Sequence, residues 1–211
     1  MNILDDIRKS VIEGDLTGNQ NQVNQALAES IPPEIILKVG LIAAMSEVGR
    51  MFENGEFYVP EMLISARAMK GGLAILRPKL AAANIKAIGK VVIGTVQGDL
   101  HDIGKNLVGM MLEGAGFEVI DLGVDVSPEK YVAAVLEHHP DLVCCSALLT
   151  TTMPRMKDIV QALWVASLRD AVKVMIGGAP LTEQYARDAG ADVYAPDAAS
   201  AAQCARKLMQ A

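Results

Sequence analysis

The chain has 211 residues, enough for one long domain or two short ones, and its 19 basic against 25 acidic side chains leave a net charge of −6. That balance excludes the broad basic surface that nucleic-acid phosphates or anionic lipids require, and no run approaches the roughly 18 apolar residues of a membrane span. Hydrophobic residues make up 51% but aromatics only 4%, so the core has to be built from aliphatic side chains and 11 methionines. The start, Met1-Asn-Ile-Leu-Asp-Asp, is acidic where a secretory leader is basic. Three cysteines, with Cys144 and Cys145 adjacent in an apolar run, read as buried thiols of a reducing compartment, and a cytoplasmic protein is expected.

The first part of the chain reads as helices. Ile3, Ile7 and Val11 recur at helical spacing up to Gly14, and Val23 and Leu27 continue the pattern to Pro32 and Pro33, which suit a helix start. A third helix runs from about Glu34 through Ile42 and Val48 to the turn Glu53-Asn-Gly-Glu56, and Pro60 opens a fourth carrying Leu63, Ala66, Met69, Leu73, Leu76 and Leu80. These stripes describe the seam of a four-helix bundle. The hydrophobic period changes over residues 81–90, so a helical domain of residues 1–88 is expected to precede a second domain of residues 89–211.

Beyond Lys90, β-rich runs at 91–94, 117–120, 142–145, 174–176 and 192–194 alternate with helical segments at 105–113, 128–137, 155–166 and 182–188 and a closing helix from about Ala198. Ser127 is the expected N-cap of the second of these. Such alternation predicts an α/β doubly wound parallel sheet, flavodoxin-like, with the strand order 2-1-3-4-5. Ligands of these sheets bind beyond the carboxyl ends of the strands at the switch point, here between the first and third strands. The loop after the first is Gln97-Gly-Asp-Leu-His-Asp-Ile-Gly104, the loop after the third is Ser146-Ala-Leu-Leu-Thr-Thr-Thr152, and Gly177-Gly178 follows the fourth.

Several chemistries fail on residue type. Gly98 and Gly104 do not form G-x-G-x-x-G, which leaves Asp121 at the end of the second strand a faint pointer to a ribose, and no Gly-Lys-Ser/Thr ending marks a P-loop. The cysteines lack C-x-x-C spacing and the histidines lack H-E-x-x-H, so a zinc site made by the protein alone is not expected. A phosphoacceptor using Asp99 and Asp102 would need an aspartate after the third strand, where Cys145 and Ser146 stand. A cysteine nucleophile paired with His101 would need an electropositive loop, and Asp141-Leu-Val-Cys-Cys145 reads as a buried strand. What remains is a loop histidine with a carboxylate two residues earlier, the arrangement of a metal ligand and the group that orients it. His138 and His139 end a helix before Pro140, where a cation suits the dipole.

Taken whole, Gly98-Asp-Leu-His-Asp-Ile-Gly-Lys-Asn106 resembles the D-x-H-x-x-G signature of cobalamin-binding domains, as in methionine synthase and corrinoid methyltransferase proteins. Ser146, Leu148, Thr152 and Gly177-Gly178 fall at the family's spacing, and the segment from Val48 to Glu61 resembles the family's helical cap. The resemblance implies that His101 is the lower axial ligand to cobalt in a base-off, His-on state, with Asp99 hydrogen-bonded to it and Thr152 as third member of the relay, in place of a serine in methionine synthase. It places Gly98, Leu100, Asp102, Ile103, Gly104, Ser146, Leu148, Thr150, Gly177 and Gly178 along the cofactor, with Tyr194 and Ala198 at the far end of its nucleotide tail. Phe52, Val59 and Met62 stand where the family's cap covers the opposite face of the corrin; bundle core explains them equally well.

The implied cofactor is cobalamin, cycling between cob(I)alamin and methylcobalamin. The implied protein is a methyl shuttle, a corrinoid subunit rather than a complete enzyme. Its partners would be a substrate-specific methyltransferase, a second methyltransferase acting on tetrahydrofolate or a thiol, and a reductive activator, with no nucleic acid and no membrane. The methyl donors of such systems are methylamines, quaternary amines, methanol or methoxylated aromatics. A cobalamin-dependent sensor is the alternative, and the small subunit of an adenosylcobalamin mutase would not need the helical cap.

Overall fold

The structure, a computed structural model, describes residues 2–83 and 85–210. Two compact units are distinguished: Met1–Ala87 together with Glu113–Gly116, and Ile88–Leu112 together with Phe117–Ala211.

The first unit is helical. Helix α1 (Ile3–Ile12) starts at Asn2, whose side-chain oxygen accepts the Leu4 N–H, and buries Leu4, Ile7 and Val11. Helix α2 (Leu16–Ala28) starts at Asp15, whose carboxylate accepts the Gly18 N–H at 2.9 Å. The third rod departs from the uniform helix that the periodicity suggests. A short α3 (Pro33–Ile35) runs into a π-helical stretch, Ile36–Ile42, and then into α4 (Ala43–Glu53) without a break. The wider π turn lets Gly40, Leu41 and Ile42 all be buried in succession, and Gly40 is needed there, because a Cβ would stand 2.9 Å from Ile7 Cγ2. Helix α5 (Val59–Ala82) opens with Glu61 accepting the Tyr58 N–H at 3.0 Å, and buries Met62, Ala66, Met69, Leu76 and Leu80 on one stripe.

The second unit alternates β1 (Lys90–Thr95), α6 (Ile103–Gly114), β2 (Glu118–Asp121), α7 (Pro128–His138), β3 (Leu142–Ser146), α8 (Pro154–Val165), β4 (Lys173–Gly177), α9 (Glu183–Ala189), β5 (Val193–Ala195) and α10 (Ala198–Leu208). The sheet is parallel throughout with order β2-β1-β3-β4-β5, the order read from the sequence. Residues 91–95 of β1 are all buried, as a strand covered on both faces requires. Val92, Val143, Val174 and Ile176 from the strands pack with Val135, Ile159 and Leu163 from the helices. Ser127 caps α7 through the Lys130 N–H, and Thr182 caps α9 through the Tyr185 N–H. The register pairs Thr95 with Ser146, Ser146 with Gly177 and Gly177 with Ala195, so these four close one row at the carboxyl edge of the sheet.

Candidate functional site

The loop between β1 and α6 is folded by its own backbone and by its neighbours. Gly98 sits at φ +81°, which glycine adopts without a Cβ penalty, and the Asp99 N–H closes the turn onto the Val96 carbonyl at 3.1 Å. The buried Thr95 hydroxyl donates to the His101 carbonyl at 2.9 Å, fixing the histidine's backbone against the end of β1.

Asp99 is wholly inaccessible to solvent, yet it is the most heavily hydrogen-bonded side chain of the loop. Its Oδ1 accepts from the His101 N–H at 3.1 Å and faces His101 Nδ1 at 2.8 Å. Its Oδ2 accepts from the Leu148 N–H at 2.8 Å, the Thr152 hydroxyl at 2.8 Å and, more weakly, the Leu149 N–H at 3.4 Å. The Thr152 hydroxyl has one proton and also lies 3.0 Å from the Leu149 carbonyl; the charged acceptor at the shorter distance takes the proton. Burial pushes the Asp99 pKa up, but the Leu148 and His101 N–H groups, the Thr152 hydroxyl and the imidazole outweigh it and hold the carboxyl well below the usual carboxylate range.

That ionised carboxylate decides the state of the ring. With Asp99 able only to accept, the neutral imidazole carries its hydrogen on Nδ1, and Nε2 keeps its lone pair. The His101 side chain is 51% exposed, so that lone pair is offered from a fixed ring at the open edge of the sheet. Leu100 and Ile103, 71% and 76% exposed, flank it as an apolar rim, and Leu148 and Leu149 are exposed on the loop that holds Asp99. Asp102 accepts the Asn106 side-chain amide at 3.0 Å and stabilises the first turn of α6.

The other expected residues fall into three groups. Gly104 is exposed, and an added Cβ would meet nothing within 4 Å, whereas at Gly177 it would come 2.9 Å from the Ala195 carbonyl and at Gly178 1.9 Å from the Ala147 carbonyl. The latter two glycines therefore serve close approach of the protein's own backbone. Ser146 is half-buried at the end of β3, Thr150 is exposed in the following loop, Tyr194 is half-buried against the core of the sheet, and Ala198 is buried. In the helical unit Val59 is exposed and Phe52 half-buried, while Met62 has no accessible surface and belongs to the bundle core.

Cys144 and Cys145 are buried strand residues whose thiols are pushed up by burial, Cys145 to about 12 against the opposing effect of the Tyr131 hydroxyl, so neither is a thiolate nucleophile. Thr95, Lys105 and Asp125 are residues that sequence reasoning passed over. Lys105 is buried and ion-paired with Asp121, and Asp125, at φ +52°, accepts the Gly98 N–H at 2.7 Å. The motif held Lys105 in plain view, but nothing local marks Thr95 or Asp125 beyond strand and turn propensity.

Residues 89–203 match the family described as "B12 binding domain", and residues 3–77 match a second family of the same description. A corrinoid protein of Desulfitobacterium hafniense is 39% identical over 212 residues, covering 99% of this chain and 98% of that one. Dimethylamine corrinoid protein 3 of Methanosarcina acetivorans is 43% identical over 187 residues, covering 89% and 87%. Among solved structures, the methanol:cobalamin methyltransferase complex MtaBC of Methanosarcina barkeri superposes with a TM-score of 0.88 at 29% identity, over 99% of this chain and 80% of that chain. The helical unit and the parallel sheet, whose switch-point loop carries the half-exposed His101 imidazole, each match a B12 binding domain, so the class is that of cobalamin-binding modules. The chain belongs to the B12-binding corrinoid proteins, and cobalamin is its cofactor.

Proposed function

We propose that the protein is a corrinoid methyl carrier that binds cobalamin base-off and His-on, with His101 Nε2 as the lower ligand to cobalt. The observation that supports this most is the buried, ionised Asp99, which fixes the Nδ1–H tautomer and leaves Nε2 as the free donor. When bound, the cofactor supplies a cobalt centre that accepts a methyl group from one partner and yields it to another.

The protein's own part is to hold and release an imidazole. While Nε2 is engaged, Asp99 Oδ1 keeps the Nδ1–H in place and strengthens the ring as a donor. Asp99 is itself held on Oδ2 by the Thr152 hydroxyl and the Leu148 N–H, so the ring keeps its orientation whether or not Nε2 is engaged. Leu100 and Ile103 offer exposed apolar surface in the same loop, which would be covered together with the ring when the cofactor binds. Gly98 and Gly104 at the ends of the loop, with Asp102, and Ser146, Leu148, Thr150, Tyr194 and Ala198 along the carboxyl edge, are the residues we assign to the cofactor and its tail, joined by Gly177 and Gly178 through their backbone atoms alone, since their missing side chains are used by the protein's own packing. Phe52 and Val59 keep apolar surface for a capping role in the helical unit.

Relatives named for dimethylamine and a structural neighbour from a methanol system support a substrate-specific methyltransferase as one partner. A second methyltransferase, a reductive activator and a cytoplasmic setting complete the proposal. The test is anaerobic reconstitution with hydroxocobalamin, reduction, and exposure to isotopically labelled methyl iodide. The wild type is expected to retain cobalamin through gel filtration and to take up close to stoichiometric label that a thiol-methylating or tetrahydrofolate-methylating partner removes. Tight cobalamin binding without uptake of label would sink the carrier role and leave a sensor.

A further inference from the structure

The loop that carries His101 is held at both ends by a single neighbouring segment. At its start, the Gly98 N–H donates to Asp125 Oδ1 at 2.7 Å, and the Asp125 N–H donates back to the Asp99 carbonyl at 3.0 Å. At its other end, Lys105 in the first turn of α6 forms an ion pair with Asp121 and reaches Asn106 Oδ1 at 2.7 Å. A buried cation in the first turn of a helix opposes the dipole and costs free energy unless it is paired, so Lys105 is not explained by helix propensity.

The segment is itself rigidly placed. Asp121 Oδ1 accepts the Gly123 N–H at 2.8 Å, Thr95 donates its N–H to the Gly123 carbonyl at 3.0 Å, and Val126 donates to the Thr95 carbonyl at 3.0 Å. Lys130 Nζ ties down the Leu122 carbonyl at 2.9 Å. Asp125 stands at φ +52°, a left-handed conformation that an Asp side chain tolerates better than most and that aims its carboxylate back at the Gly98 N–H.

We infer that residues 121–125 are a brace for the His101 loop, with Asp125 and Asp121 as positioning residues that keep His101 Nε2 where cobalt takes it. These two carboxylates bond to the Gly98 N–H, the Lys105 ammonium and the Gly123 N–H, so they act on His101 through residues 98–105 of its own loop. The brace rests on His101 as the cobalt ligand for its purpose, and on the apoprotein contacts alone for its existence.

The experiment compares wild type, Asp125→Gly and Asp125→Asn. Glycine keeps the left-handed backbone and loses the acceptor; asparagine keeps an acceptor oxygen. Amide hydrogen exchange is followed by NMR in the apoprotein at His101 and Leu148, whose acceptor is Asp99 and is untouched by either change. Asp125→Gly is expected to speed exchange at both amides roughly five- to tenfold, and Asp125→Asn by less than about twofold. The Co(II) cobalamin-loaded proteins are then compared by electron paramagnetic resonance, where the share of cobalt bearing a nitrogen ligand is expected to fall in Asp125→Gly and to be restored in Asp125→Asn.

Exchange unchanged in Asp125→Gly would overturn the brace. Faster exchange with an unchanged nitrogen-bound share would overturn its role in placing the ligand. A wild type without nitrogen on cobalt would instead overturn His101 as the ligand, and the apoprotein exchange, which needs no cobalamin, decides the brace in that case too.

Discussion

Asp99 gathers donors from its own loop and from a second one 49 to 53 residues further on, so every change to one donor is felt by the others. Thr152→Val removes the hydroxyl and keeps the shape. It is expected to lower the apoprotein's unfolding free energy by about 1.5–3 kcal/mol, the usual worth of a hydrogen bond to a charged group, whereas Thr152→Ser keeps most of it. Urea denaturation decides; equal stability of Thr152→Val and wild type would mean that the hydroxyl is not spent on Asp99. At the same scale, Cys144 and Cys145 have folded pKa values raised by burial above their unfolded values near ~8.5. Their contribution is therefore intact below about pH 8.5 and lost as pH rises towards the folded values. Unfolding free energy should decline between about pH 8.5 and 10 and decline less in Cys144→Ala/Cys145→Ala; matching slopes would contradict the assignment.

At the scale of elements, the glycines separate two uses of a missing side chain. Gly178→Ala forces a Cβ into the Ala147 carbonyl at φ +143° and is expected to cost roughly 3 kcal/mol or more. Gly104→Ala meets nothing and lies in α6, so the apoprotein should be as stable or about 0.4–1 kcal/mol more stable, while cobalamin affinity falls. An unimpaired affinity would remove Gly104 from the cofactor face. The elements themselves were largely legible, because strand-helix alternation leaves few topologies open and the switch point follows from the order. The π stretch Ile36–Ile42 was not legible, since its apolar residues satisfy ordinary helical spacing equally well. The site shows the same division. Asp99 and His101 stand together in one loop, whereas Thr152, in a second, is reached only through the family resemblance. Asp125 and Lys105 owe their roles to contacts across 27 and 16 residues that no local pattern records.

For the whole molecule, the net charge of −6 fits a protein whose counterparts are other proteins rather than nucleic acid or anionic lipid, and among the described residues no helix is long and apolar enough to cross a membrane. Both parts of the chain match families described as "B12 binding domain", at residues 3–77 and 89–203. The carrier role, the Asp99 relay and the brace, as proposed, all depend on one bond, from His101 to cobalt. The most direct measurement is the electron paramagnetic resonance spectrum of the Co(II) cobalamin-loaded protein prepared with ordinary and with nitrogen-15 histidine, beside His101→Ala. A His101–cobalt bond is expected to give a nitrogen splitting that changes pattern with histidine labelling and disappears in His101→Ala. A splitting indifferent to the label, which would place the cofactor's own base on cobalt, or one that survives in His101→Ala, would contradict it.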